Sequence, residues 1–186
     1  MRQMWWMIGA VLAGLLAVGA TAGSAQSRQS WSVQVSGEAV LPTKAYGDVL
    51  QSSSTLGWEV QGRYTFGRFS VGAGYQRTVV FKSDAAALTG TLSVGFVEPR
   101  YVMAVLGDRL APYLAARVGY GALLIRDTPS VTQNSFTYGA GLGVLVAVVP
   151  HVAIDLGGQY FVANFGGNGG TAGYFLVRAG LAVGLF

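Results

Sequence analysis

From residue 30 onward, apolar and polar side chains alternate with a period of two over segments longer than ordinary strands. Between Leu56 and Phe66, the residues Leu56, Trp58, Val60, Tyr64 and Phe66 share one face. Gly57, Glu59, Gln61, Arg63 and Thr65 share the other. Successive side chains of a strand point to opposite faces, so this is strand periodicity. It predicts eight strands: Ser30–Leu41, Leu56–Phe66, Phe69–Phe81, Leu88–Tyr101, Ala111–Leu124, Phe136–Val148, Val152–Asn164 and Tyr174–Phe186. Strands of roughly 10 to 14 residues exceed the usual 5 to 6, and they are long enough to cross a bilayer at a tilt, which takes ~9–11.

The connections alternate in length. Pro42–Thr55, Ile125–Ser135 and the glycine-rich Phe165–Gly173 are long, and Lys82–Ala87 is intermediate. Gly67-Arg68 and Val149-Pro150-His151 are tight, and Met103–Leu110 is a moderate turn. Short turns on one side and longer loops on the other are the pattern of outer-membrane barrels. The nearly apolar stretch Tyr138–Ile154 could pass for a membrane helix. Gly139, Gly141 and Gly143 at every second position, followed by Pro150, make it a strand and a turn instead.

Composition supports the same class. Only 11% of the 186 residues are charged while 52% are hydrophobic, against about 25% charged in an average soluble domain. That is too little charge to cover a soluble surface and too much apolar content for disorder. The absence of cysteine excludes disulfides, thiolate metal sites and cysteine nucleophiles. A net charge of +4 comes from scattered arginines rather than a basic cluster, which argues against nucleic acid.

The first 25 residues read as an export signal: Arg2, then apolar Trp5–Ala20, then small residues up to Ala25. The apolar run falls short of the ~20 residues of a spanning helix. Cleavage is expected after Ala25, with Ala22 the other fitting site, leaving a barrel domain of residues 26–186.

Alternation alone does not say which face is outside, because a soluble lipocalin-like barrel alternates too. The polar face is rich in Gly, Ser and Thr and would make a poor soluble surface. The other face carries Trp31, Trp58, Tyr64, Phe66, Phe69, Tyr75, Phe81, Phe96, Tyr120, Phe136, Tyr138 and Tyr160, many near strand ends, as aromatic girdles require. The apolar face is therefore expected to meet lipid.

Signal segment, eight alternating strands, small size and the final Phe186 together resemble the small Gram-negative outer-membrane β-barrels of the outer membrane protein A membrane domain, OmpX and opacity-protein type. The resemblance implies an eight-stranded antiparallel up-and-down barrel in the cell outer membrane, surrounded by lipid and lipopolysaccharide. It also implies recognition of Phe186 by the barrel-assembly machinery. Here the chain departs from the pattern, since Gly184, Ala182 and Gly180 share the phase of Phe186 while the apolar residues run one position off.

With the apolar face outward, the lumen receives Gln34, Gln61, Gln76 and Gln159 together with Glu38, Glu59, Arg63, Arg117, Asp155 and Arg178. Three acids facing three bases suggest a neutral network, because buried charges need partners. Glu38, Glu59 and Arg178 are expected in the extracellular half and the other three in the periplasmic half. Strands one and eight are neighbours in a closed barrel, so a Glu38–Arg178 pair is expected across the seam. Glu98-Pro99-Arg100-Tyr101 breaks the alternation, which reads as strand termination or as a bulge turning Glu98 or Arg100 inward.

Eight strands leave an interior just wide enough for side chains to fill. Inward glycines such as Gly72, Gly74, Gly119, Gly121, Gly139, Gly141 and Gly143 would remove filler and leave room for a narrow, porin-like channel. Catalytic signals are weak: His151 is the single histidine, in a tight turn, and no paired catalytic carboxylates, metal spacing or cofactor motif occurs. The expectation is a monomeric non-enzyme without cofactor or metal. Its lumen is plugged by charge, and its loops, chiefly Lys44–Thr55 and Arg126–Asn134, meet an extracellular ligand.

Overall fold

In the computed structural model, every alternating segment is a strand, and the strands close on themselves. Residues 31–42, 54–83, 88–103, 106–126, 131–166 and 170–185 are described. The strands are β1 (Trp31–Pro42), β2 (Thr55–Phe66), β3 (Phe69–Ser83), β4 (Leu88–Val102), β5 (Leu110–Arg126), β6 (Val131–Val149), β7 (Val152–Phe165) and β8 (Thr171–Leu185). Each pairs antiparallel with the next, and β1 pairs with β8, giving a closed eight-stranded up-and-down barrel. Closure leaves no sheet edge unpaired. Residues 1–25, expected to be an export signal, and Phe186 lie outside the described residues.

Four strands run two or more residues further than the periodicity predicts, among them β3, which ends at Ser83 and not Phe81. β6 begins at Val131, not Phe136, and β5 continues to Arg126, so Ile125 pairs with Val131 and the expected long loop shrinks to residues 127–130. β8 begins at Thr171, with Asn164 opposite it. Backbone N–H and C=O groups go on pairing after side chains stop alternating, so polar Val131–Ser135 remains in the ladder.

One strand has the opposite phase from expectation. On β4, Leu92, Val94 and Phe96 are buried inside, in step with Glu98 and Arg100, while Val97 is 44% exposed outside. The segment around Pro99 is neither a terminus nor a bulge. The β4–β5 ladder skips the rungs at Glu98 and Pro99 and resumes in the same register at Arg100↔Ala115. Proline lacks the donor those rungs need. Bulges occur instead at Val79/Phe81 and Ala147/Val149.

Two turn-side connections are two residues long, Gly67-Arg68 and Pro150-His151. The third contains a 3-10 turn at Gly107–Arg109. Gly67 has φ 60°, the left-handed region that a two-residue hairpin turn needs and glycine adopts freely.

The inward glycines are contact points. A Cβ built on Gly121 would lie 2.7 Å from Val94 Cα and 2.8 Å from the Ser93 carbonyl carbon. Both are backbone atoms and have little freedom to yield. Outward-facing Gly62 has nothing within 4 Å. Gly121→Ala should therefore destabilise the folded barrel by about 1–3 kcal/mol, the usual range for overpacking. Gly62→Ala should be neutral in guanidinium titrations of the protein refolded in detergent.

A lumen charge cluster as candidate functional site

The inward faces of the strands bring ten expected polar residues into one buried layer: Gln34, Glu38, Glu59, Gln61, Arg63, Gln76, Arg117, Asp155, Gln159 and Arg178. Three more join them that the expected lumen set did not include: Glu98, Arg100 and Tyr113.

Glu98, fully buried, is the hub. Its Oε1 accepts from Arg63 Nη2 at 2.8 Å, Arg100 Nε at 2.7 Å and Arg178 Nη2 at 3.2 Å. Its Oε2 accepts from Arg117 Nε at 2.7 Å, Arg178 Nη1 at 3.0 Å and Gln159 Nε2 at 3.0 Å. Guanidinium presents several N–H donors in one plane, so four of them can share a carboxylate in different directions.

Asp155 forms a second node. It accepts from Tyr113 Oη at 2.5 Å and Gln34 Nε2 at 2.6 Å, with Arg100 Nη2 at 2.9 Å. Tyr113 also accepts from Arg178 Nη2 at 2.9 Å, linking the two nodes. Glu59 lies 2.7 Å from Arg117 and 3.3 Å from Arg178. Glu38 is the loosest member: it accepts from Thr78 Oγ1 at 2.8 Å and stands 3.9 Å from Arg117.

One expectation needs correction. Glu38 and Arg178 are opposite one another in the β1–β8 register, yet the Arg178 guanidinium turns to Glu59, Glu98 and Asp155 instead. Glu98, absent from the expected pairing, offers both its oxygens to that guanidinium and outcompetes the seam partner. Arg178 and Arg117 also tie residues expected toward opposite halves of the lumen into one cluster. Electrical balance survives with different members: Glu38, Glu59, Glu98 and Asp155 against Arg63, Arg100, Arg117 and Arg178.

An apolar layer covers this cluster on the side of the β1–β2, β3–β4, β5–β6 and β7–β8 connections. It includes Val40, Leu92, Phe96, Leu123, Phe161 and Leu176, all buried. The Arg117 guanidinium stacks on Phe96, 3.8 Å from the ring centroid, where the two layers meet. A cavity with about 20 Å³ of space for water, enough for one molecule, sits between Gln76, Thr78, Thr137 and the apolar side chains above.

Outside, the polarity is reversed. Of the twelve aromatics expected on the lipid face, ten are exposed there: Trp31, Trp58, Tyr64, Phe66, Phe69, Tyr75, Tyr120, Phe136, Tyr138 and Tyr160. Phe96 is the exception, packed inside, and the side chain of Phe81 lies outside the described residues. Trp31, Tyr64, Phe66, Phe69 and Tyr101 form a continuous chain of ring contacts at the turn end, each 4.9–6.2 Å between centroids. Such a rim is an interfacial girdle.

A closed barrel with an apolar exterior and a charged interior is the inside-out arrangement of a protein that crosses a bilayer with strands. Solved structures share the fold. Neisserial surface protein A superposes with a TM-score of 0.70 at 19% identity, over 84% of this chain and 97% of that one. The N-terminal β-barrel domain of Pseudomonas aeruginosa OprF gives a TM-score of 0.53 at 12% identity, over 84% and 98%. No family model matches the sequence, and no curated protein does. The fold is that of the small outer-membrane barrels, as the resemblance implied.

The geometry ranks the carboxylates. Glu98→Gln removes the charge facing four guanidinium groups, and breaking a buried ion pair typically costs about 3–5 kcal/mol. Glu38→Gln keeps an acceptor for Thr78 and loses a 3.9 Å pair, so a cost of about 1 kcal/mol is expected. Guanidinium midpoints of the two refolded variants should separate in that order.

Proposed function

We propose that this chain is a monomeric outer-membrane barrel with a closed lumen, whose work is done by the loops at its extracellular end. One observation carries the reading: a neutral cluster of eight charges fills the lumen beneath an apolar layer. An ion entering must cross a dry apolar zone and then displace paired charges. The inward glycines do not widen the lumen as the channel reading requires. A Cβ on Gly72 would lie 2.7 Å from Arg63 Nη2, and one on Gly143 would lie 2.5 Å from Tyr113 Cζ. The space the glycines leave is used by the arginine and tyrosine side chains.

With the lumen closed, contact with other molecules falls to the lipid-facing wall and the loops. The wall meets outer-membrane lipid and lipopolysaccharide. The loops present a surface for an extracellular ligand, an adhesion-like role that needs no catalytic group. Residues 1–25 direct export, and the terminal Phe186 is the assembly signal read by the barrel-assembly machinery.

In planar bilayers the folded protein should insert without discrete conductance steps. Arg178→Ala should stay silent too, because the apolar layer around Phe161 and Leu176 still seals the lumen. Reproducible steps from the unmodified barrel would replace this reading with a narrow solute channel.

A further inference from the structure

The eight lumen charges are all paired, whereas the outer wall carries charges that have no partner among the described residues. Arg77 on β3 and Arg126 on β5 are exposed on the outside of the barrel. Neither makes an ion pair or side-chain hydrogen bond with another described residue. The four carboxylates on the described strands are all inside, so the wall itself supplies no counter-ion. An arginine at the middle of a lipid face costs about 2–4 kcal/mol, and close to nothing at the interface.

Two independent observations place Arg77 at that interface. Arg77 is eight residues above Phe69 along β3, and a tilted strand rises about 2.5 Å in height per residue. This puts Arg77 about 20 Å above the Phe66–Phe69 girdle, near the upper edge of an apolar band about 25 Å tall. The exterior of the neighbouring strand changes polarity on the same row. Below Gly95, β4 shows Val97, Pro99 and Tyr101. Above it come Ser93, Thr91 and Thr89, beginning with Ser93 directly opposite Arg77. Trp58, opposite Arg77 on its other side, packs against Tyr75 with tilted rings 5.7 Å apart, as an interfacial anchor does.

Arg126 stands opposite Thr89, two strands across and four residues beyond the Arg77 row. At strand and residue spacings of 4.8 and 3.3 Å, the two guanidinium-bearing positions are about 16 Å apart. Between them lie the hydroxyls of Ser93, Thr91 and Thr89. A phospholipid headgroup presents one phosphate, whereas a strip with two cations and intervening hydroxyl donors suits a broad head with two phosphates and sugar hydroxyls.

We propose that Arg77, Ser93, Thr91, Thr89 and Arg126 form a binding strip for a bis-phosphorylated glycolipid of the outer leaflet, with Arg77 on one phosphate and Arg126 on the other. Guanidinium–phosphate hydrogen bonds are charge-assisted and bidentate. This strip rests on the outer-membrane reading above, and it adds which part of the wall holds the glycolipid and through which groups.

The test uses residues 26–186 refolded into phosphatidylcholine nanodiscs doped with bis-phosphorylated lipid A, with retained lipid counted by native mass spectrometry. The unmodified barrel should keep lipid A after the bulk lipid is stripped. R77Q and R126Q should each retain it about fivefold less well, and R109Q, an exposed arginine at the turn end, should match the unmodified protein. Fully dephosphorylated lipid A should lose its preference. Equal retention by R77Q, or equal retention of phosphatidylglycerol, would overturn the strip as a glycolipid site while leaving the barrel reading intact. Failure to enter nanodiscs at all would overturn both.

Discussion

Glu98 holds the interior together. Its two oxygens receive donors from β2, β4, β5, β7 and β8, so one carboxylate ties five of the eight staves. In the low dielectric of a barrel interior such a group is stable only with its partners in place. The cluster therefore does more than fill space. A one-residue slip of β1, β2, β4, β5, β7 or β8 would carry its charges from the lumen to the lipid face, and that penalty selects the register.

The rest of the interior is arranged around those long side chains. Gly72 stands where Arg63 passes and Gly143 where the Tyr113 ring lies, so small residues on one strand answer large ones on another. The result is a layered lumen, with a charged middle, an apolar cover toward the loops and a smaller apolar group around Val102, Ala111 and Tyr113 toward the turns. In the closed barrel proposed above, the charged layer would resist apolar solutes and the apolar layer would resist ions.

Most strands were legible because each has a lipid side that must be apolar where it crosses the membrane. The period-two pattern of β1, β2, β3 and β7 reported both the strand and its orientation. It misled on β4, where Leu92, Val94 and Phe96 face inward and Val97 and Tyr101 face out. An apolar side chain is comfortable on either side of a wall whose lumen is itself partly apolar. A charged one is not, and Glu98 and Arg100, two residues apart, carried the signal that decides the phase. Tyr113, in phase with Arg117, was legible by the same rule. The ends of β5, β6 and β8 were not, because backbone pairing above the membrane leaves no mark in hydropathy.

The sequence by itself determined that the chain makes eight long strands, closes into a barrel and shows its apolar side to lipid. These follow from local periodicity, from length and from the scarcity of charge. Only the tertiary structure decided which charges meet. Glu38 and Arg178 face each other across the seam, yet Arg178 reaches past Glu38 to Glu98, 80 residues away in the chain. A guanidinium on a long side chain takes whichever carboxylates satisfy the most of its donors, and that choice depends on every strand around the lumen at once.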